Sequence, residues 1–112
     1  MAVTIYHNPR CGKSRDTLAL IRDKGITPNV VEYVTTPPTA AELKQILAWL
    51  GLSARDILRR KEAADQGVDA TLPEDALIAQ MVAHPIVIER PIVVADGKAR
   101  IGRPPEKVLE IL

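Results

Sequence analysis

The sequence contains very few aromatic residues and only one cysteine. Its 112 residues include no Phe, one Trp, two Tyr and one Cys, although 46% of them are hydrophobic. The core must therefore be built from aliphatic side chains, and this length predicts a single domain over residues 1–112. A lone cysteine cannot form an intramolecular disulfide, which argues against a disulfide-stapled secreted domain and favours a reducing compartment.

The sequence also lacks an excess of either charge and any long apolar run. Fifteen Lys and Arg against fourteen Asp and Glu leave a net charge of +1, which argues against a nucleic-acid-binding protein. No run approaches the roughly 18 apolar residues of a membrane span. The N-terminal MAVTIYHNPR has no signal-peptide pattern. We expect a cytoplasmic protein that binds neither nucleic acid nor a membrane.

Metal-ligand spacings and glycine-rich phosphate loops are missing as well. We therefore expect no bound metal and no bound cofactor. Any chemistry must come from the side chains themselves or from a co-substrate.

The first third of the chain has the pattern of a β-α-β unit. Apolar runs predict strands over residues 2–6 and 30–34, and helical periodicity predicts a helix over about 12–24. Two strands joined by a single helix are expected to lie parallel.

The middle of the chain predicts a helical insert over about residues 39–84. Thr39 and Glu42 have the spacing of a capping box that starts a helix. Residues 62–72 resemble a polar loop, and Pro73 suits the first turn of a further helix.

The last third predicts a hairpin and a final helix. Strands over 92–95 and 98–101 flank Asp96-Gly97, a strong two-residue turn signal, and Pro104 can start the helix. We expect the apolar side of that helix to consist of Val108, Leu109 and Leu112. The predicted fold class is α/β, with a mixed four-stranded sheet in the order β-α-β, helical insert, β-β-α.

Cys11 stands directly before the first predicted helix, in an electropositive setting. The reactive form of cysteine is the thiolate. At a helix N-cap it would face unpaired backbone N–H groups and the positive end of the helix dipole. Arg10, Lys13 and Arg15 add positive charge, and His7 lies just after the preceding strand ends, within reach of the thiol. These neighbours should lower the pKa of the thiol.

The same features suit the binding of an oxyanion, so nucleophile and anion site should coincide. The phosphatase spacing of Cys and Arg is absent, because residue 17 is Thr. The redox motif C-x-x-C is absent, because residue 14 is Ser. A thiol that resolves an intermediate must therefore come from another molecule, such as glutathione or a redox protein.

Several segments, in order and spacing, resemble the glutaredoxin-linked arsenate reductase family. They are HNPRCGKSRDTL, TPPT, LRRK, HPIVIERPIVV and RIGRPPEKVLEIL. The resemblance covers almost the whole chain and implies a thioredoxin-like fold with a helical insert. It implies that the cysteine attacks arsenate, that glutathione adds to the arsenical, and that glutaredoxin reduces the adduct so that arsenite leaves.

The resemblance also implies a role for individual residues. Cys11 would be the nucleophile, His7 would help to activate it, and Arg59, Arg90 and Arg103 would hold the oxyanion. Residues expected to support the site are Asn8, Gly12, Lys13, Ser14, Arg15 and Pro91. The resemblance further implies that the peptide bond between Arg90 and Pro91 is cis.

Two alternatives share this fold. One is a redox-sensing regulator that binds RNA polymerase, although such regulators commonly carry C-x-x-C where this chain has Ser14. The other is a glutathione-dependent thiol reductase with a different substrate. Substrate identity is the open point, because Lys13 stands where arsenate-reducing members usually carry Thr.

Overall fold

The computed structural model describes residues 1–112, and the chain divides into two units. The first unit comprises Met1–Thr36 and Arg90–Leu112, and the second comprises Pro37–Glu89. The helical insert predicted over about 39–84 falls within the second unit. The organisation as a single domain stays a prediction.

A mixed four-stranded sheet forms the centre of the first unit. Its strands are β1 (Val3–His7), β2 (Asn29–Glu32), β3 (Ile92–Ala95) and β4 (Lys98–Ile101). Their order is β2-β1-β3-β4. β1 pairs parallel with β2 and antiparallel with β3, and β3 pairs antiparallel with β4. The predicted parallel pair and the predicted hairpin are both confirmed.

One helix packs its buried face on this sheet. Helix α1 (Gly12–Asp23) buries Ser14, Thr17, Leu18 and Ile21, which recur at the i, i+3, i+4, i+7 spacing of a single helix face. The cluster at the centre of this core is aliphatic, as the composition predicted. It consists of Val3, Ile5, Leu18, Ile21, Val93, Ala95, Val108 and Ile111.

Alternation along β1 extends that buried face to a polar residue. Val3, Ile5 and His7 are buried, whereas the residues between them are only partly so, because successive side chains of a strand point to opposite faces. His7 therefore lies on the sheet face that α1 covers, at the end of the strand.

The second unit is helical. It contains α2 (Ala40–Leu50), α3 (Arg60–Gln66) and α4 (Glu74–Ala83), with short 3₁₀ segments between them. The capping box predicted at Thr39 and Glu42 is confirmed, since each side chain bonds the other residue's backbone N–H.

The polar loop predicted over 62–72 is partly wrong, because α3 occupies its first residues. Ala63 is the only buried residue of α3, so this short helix shows almost no hydrophobic periodicity in the sequence. Good helix formers and the ion pair between Lys61 and Asp65, four residues apart, support it instead. Gly67, with φ of 70°, ends it in the left-handed conformation.

The predicted apolar side of the final helix is also partly wrong. Pro105–Ile111 forms a 3₁₀ helix that buries Val108 and Ile111, whereas Leu109 is 37% exposed. A 3₁₀ helix repeats every three residues, so positions 108 and 111 share one side.

None of the helices combines the length and the apolar content required to cross a membrane. Likewise, no three or more His, Cys, Asp or Glu side chains cluster in a way that could hold a metal ion.

We predict that Ile5→Ala will lower the free energy of unfolding by about 2–5 kcal/mol, because it empties a site at the centre of an aliphatic core. Ile5 is fully buried in that core. The matched control is Leu109→Ala, which should cost well under half as much because Leu109 is partly exposed. Urea denaturation of both variants measures the difference, and equal losses would contradict this view of the core.

Candidate active site

Cys11 occupies the N-cap of α1, as predicted. Its backbone is extended, with φ of −94° and ψ of 122°. Its N–H donates to the carbonyl oxygen of Asn8 at 3.0 Å, and its own carbonyl accepts from the N–H of Arg15 at 3.0 Å. Extended backbone is the usual conformation of an N-cap residue, which stands beside the first N–H groups of the helix that have no partner within it.

The surroundings of the thiol favour its charged form. Burial raises the pKa of Cys11, but hydrogen bonds outweigh that effect and hold the pKa below its ordinary value. The donors are the backbone N–H of Ser14, the guanidinium groups of Arg90 and Arg103, and the backbone N–H of Lys13. Each stabilises the anion more than the neutral thiol.

Strand pairing explains why two arginines so distant in sequence reach this sulfur. Tyr6 pairs with Ile92 in the antiparallel ladder between β1 and β3, so the chain before Ile92 lies beside the end of β1. Ile92 also pairs with Ile101, which brings the chain after β4 to the same end of the sheet. Arg90 and Arg103 are therefore placed where β1 leads into the turn before Cys11.

Arg103 makes two contacts that fix its guanidinium. Its Nη1 lies 3.8 Å from Sγ of Cys11 and donates to the backbone oxygen of Arg90 at 3.1 Å. Arg90 itself is buried. Each of the two arginines precedes a proline, and both of these peptide bonds are cis. The first cis bond was expected from the family resemblance, whereas the second was not.

His7 contacts Ser14. Its Nδ1 lies 2.6 Å from Oγ of Ser14, and the same oxygen accepts the backbone N–H of Asn8 at 3.0 Å. Both His7 and Ser14 are buried. The path from His7 to the thiol therefore runs through Ser14, whose backbone N–H is one of the donors to Cys11.

The protonation state of His7 follows from its environment. Burial lowers its pKa, the carboxylate of Glu32 partly opposes this, and the charges of Arg22 and Arg15 reinforce it. The net pKa lies below the ordinary value, so the neutral imidazole prevails at pH 7. We assign the Ser14 hydroxyl as donor to an unprotonated Nδ1.

Other predicted supporting residues build the turn that carries the thiol. Oδ1 of Asn8 accepts the backbone N–H of Arg10 at 3.0 Å. Nη1 of Arg15 donates to the carbonyl of Pro9 at 3.0 Å, so its charged end is committed to the turn. Gly12 is the first residue of α1.

Arg59 lies in the second unit and is bound by carboxylates. Its Nε lies 2.8 Å from Glu62, and its Nη1 lies 2.6 Å from Glu89. Burial lowers the pKa of Arg59, but the bonds to Glu62 and Glu89 outweigh this and raise it. The role of Arg59 as a ligand of the oxyanion stays a prediction.

One contact around the site was missed in the sequence. Gly102 approaches Thr17 closely, and its N–H donates to the carbonyl of Pro91 at 3.0 Å. Thr17 and Gly102 are 85 positions apart, and no local pattern connects them. The repeated Arg-Pro dipeptide at 90–91 and 103–104 was the one available signal that these segments act together.

The fold agrees with the comparisons to known proteins. A profile of the ArsC family matches residues 6–111, so the protein belongs to the ArsC family. The chain is 50% identical to an arsenate reductase of Rhizobium meliloti (strain 1021), covering 100% of this chain and 82% of that one. It is 55% identical to the uncharacterized protein YfgD of Escherichia coli (strain K12), covering 98% and 96% respectively.

The same comparisons extend to solved structures. An arsenate reductase from Vibrio cholerae matches with a TM-score of 0.93 and 52% identity, covering 100% of this chain and 98% of that one. The predicted thioredoxin-like fold and the resemblance to arsenate reductases are confirmed.

We predict that Arg103→Gln will raise the pKa of Cys11, because it removes a charged donor that stabilises the thiolate. The pH dependence of alkylation by iodoacetamide measures this, since only the thiolate reacts. The matched control is Arg100→Gln, whose guanidinium bonds Glu110 at 2.8 Å instead. An unchanged profile for Arg103→Gln would show that this arginine does not stabilise the charge.

The lowered pKa of Cys11 also predicts a dependence of stability on pH. Between the folded pKa and the higher unfolded pKa, the folded state binds fewer protons, so the free energy of unfolding increases with pH. This contribution is fully present above the unfolded pKa and is lost as pH falls through the folded one. Urea denaturation across that interval should show a steeper rise for the wild type than for Cys11→Ser. Parallel curves would contradict the prediction.

Proposed function

We propose that this protein reduces arsenate to arsenite, with Cys11 as the nucleophile and with glutathione and glutaredoxin as the source of electrons. The observation that carries the proposal is that Nη1 of Arg103 lies 3.8 Å from the sulfur of Cys11, at the N-cap of α1, and also bonds the backbone oxygen of Arg90. Arginines can bind an oxyanion through paired N–H bonds, so the groups that stabilise the thiolate can also receive its target. The similarity to proteins named arsenate reductase indicates arsenate as that target.

The first step joins sulfur to arsenic. The Cys11 thiolate forms an S–As bond, and one arsenate oxygen leaves as water after protonation. Arg90 and Arg103 stabilise the charge on the remaining oxygens, as expected of donors that are already oriented before reaction.

The reducing steps need two external thiols, because the chain has no second cysteine. A glutathione thiol displaces a second oxygen as water and forms another S–As bond. A glutaredoxin thiolate then attacks the glutathione sulfur, so that a mixed disulfide forms and the electron pair of the broken bond passes to arsenic. Arsenic(V) becomes arsenic(III), and water displaces Cys11 to release arsenite. Such partners require a reducing compartment, for which we propose the cytoplasm.

His7 and Arg59 enter this proposal on different grounds, His7 because of its contacts and Arg59 because of the family resemblance. His7 acts as a positioning residue, because its contact with Ser14 orients the first turn of α1 whose N–H groups bond the thiol. Arg59 is included because of the family resemblance. An oxyanion would have to compete with Glu62 and Glu89 for its guanidinium.

The regulator alternative is less well supported. In such proteins a second cysteine commonly occupies the position of Ser14, whereas here the Ser14 hydroxyl is engaged with His7 and Asn8. With these two partners, the buried Ser14 hydroxyl holds the first turn of α1 against the end of β1.

We predict that the purified protein will convert arsenate to arsenite only when glutathione and glutaredoxin are both present. Oxidation of NADPH through glutathione reductase measures the turnover, and direct detection of arsenite identifies the product. Cys11→Ser should abolish turnover, because the hydroxyl is not ionised at neutral pH. Arg103→Gln should raise the KM for arsenate.

Two outcomes would overturn the proposal. Normal turnover by Cys11→Ser would remove the nucleophile from the mechanism. Reduction of a glutathione mixed disulfide in the absence of any arsenate turnover would identify a thiol reductase instead.

A further inference from the structure

Gly102 and Thr17 meet at a distance that only glycine permits. A Cβ atom at residue 102 would lie 2.5 Å from Oγ1 of Thr17, 3.0 Å from its Cγ2 and 2.8 Å from Cγ of Pro91. Real side chains do not approach so closely. The turn after β4 is therefore in direct van der Waals contact with the buried face of α1.

Thr17 cannot easily yield at this contact. It is fully buried, and its Oγ1 donates to the carbonyl of Lys13 at 2.8 Å within α1. The same hydroxyl lies 3.5 Å from the carbonyl of Gly102. Because β-branched side chains have one or two permitted rotamers in a helix, Thr17 presents a stiff surface.

Gly102 is restrained from its other side as well. Its N–H donates to the carbonyl of Pro91 at 3.0 Å, and Pro91 follows Arg90 directly. The glycine is thus held between α1 and the segment that carries one of the two arginines contacting the thiol.

The contact between Gly102 and Thr17 bears on Arg103, the next residue in the chain. Arg103 follows Gly102 and places its Nη1 3.8 Å from the sulfur of Cys11. Cys11 is the N-cap of the helix to which Thr17 belongs. A change in the distance between Gly102 and Thr17 would shift the backbone from which Arg103 extends, relative to the helix that Cys11 caps.

We propose that Thr17 and Gly102 form a steric stop that positions the Arg103 guanidinium on the sulfur of Cys11. Both are positioning residues, and neither contacts the reacting atoms. The inference concerns how the thiolate is stabilised and does not depend on what the thiolate attacks.

The test is Gly102→Ala, which forces the turn away from α1. Alkylation by iodoacetamide at neutral pH should slow by roughly threefold to tenfold, as expected when a charge-assisted hydrogen bond to the thiolate is weakened. The pH profile of alkylation should shift upward. In an Arg103→Gln background, Gly102→Ala should add clearly less to either effect than it does in the wild type, because one of the groups it displaces is already gone.

Matched variants separate positioning from a general loss of stability. Gly67→Ala also strains the chain, since Gly67 has φ of 70°, but an added Cβ there meets no atom within 4 Å. It should lower the melting temperature and leave the alkylation profile unchanged. Adding Thr17→Ala to Gly102→Ala removes two of the three close contacts and should restore part of the lost reactivity.

A second comparison applies if Gly102→Ala does not fold. Thr17→Ala removes the stop and should slow alkylation, whereas Thr17→Val preserves the shape of the side chain and should react much as the wild type does. The proposal is overturned if Gly102→Ala folds with an unchanged alkylation profile, or if its effect persists in full without Arg103. Equal profiles for Thr17→Ala and Thr17→Val would overturn it too.

Discussion

Stabilisation of the thiolate form of Cys11 is the constraint on which the arrangement of this site depends. Partial burial opposes that charge, so the hydrogen bonds to the sulfur must contribute more than burial removes. Two donors, the N–H groups of Lys13 and Ser14, are supplied by the helix that Cys11 caps. The other two, Arg90 and Arg103, come from the far end of the chain, and the sheet brings them back. The antiparallel registers of β1 with β3 and of β3 with β4 therefore have an electrostatic consequence.

A second layer of contacts holds these donors in place. His7 lies on the buried face of β1 and bonds the Ser14 hydroxyl in the first turn of α1. Gly102 packs on Thr17 one turn further along the same helix face. Both contacts join the sheet side of the site to the helix side, and both involve buried polar or small residues rather than the aliphatic cluster. Positioning and core packing are thus adjacent on one face of α1.

The strands were predictable because each has a strong local pattern, and the hairpin because Asp96-Gly97 is a specific turn signal. Helix α3 was missed because it buries only Ala63 and so carries no periodic apolar signal. The apolar side of the last helix was predicted only in part, at Val108, because nothing local distinguishes the three-residue repeat of a 3₁₀ helix from the α-helical repeat. The place of Arg90 and Arg103 in the site was inferred only through the family resemblance. Local sequence patterns do not predict a pairing register between strands.

The sequence by itself determined that the chain carries a single thiol and that this thiol lies at a helix N-terminus, because both follow from one cysteine and its immediate neighbours. Only the tertiary structure decided which charges reach the sulfur. It committed Arg15 to the carbonyl of Pro9 and Arg59 to Glu62 and Glu89, and it directed Arg103 to the thiol. The physical reason is that an arginine's charge is fixed by its chemistry, whereas the partner of that charge is set by strand register and packing.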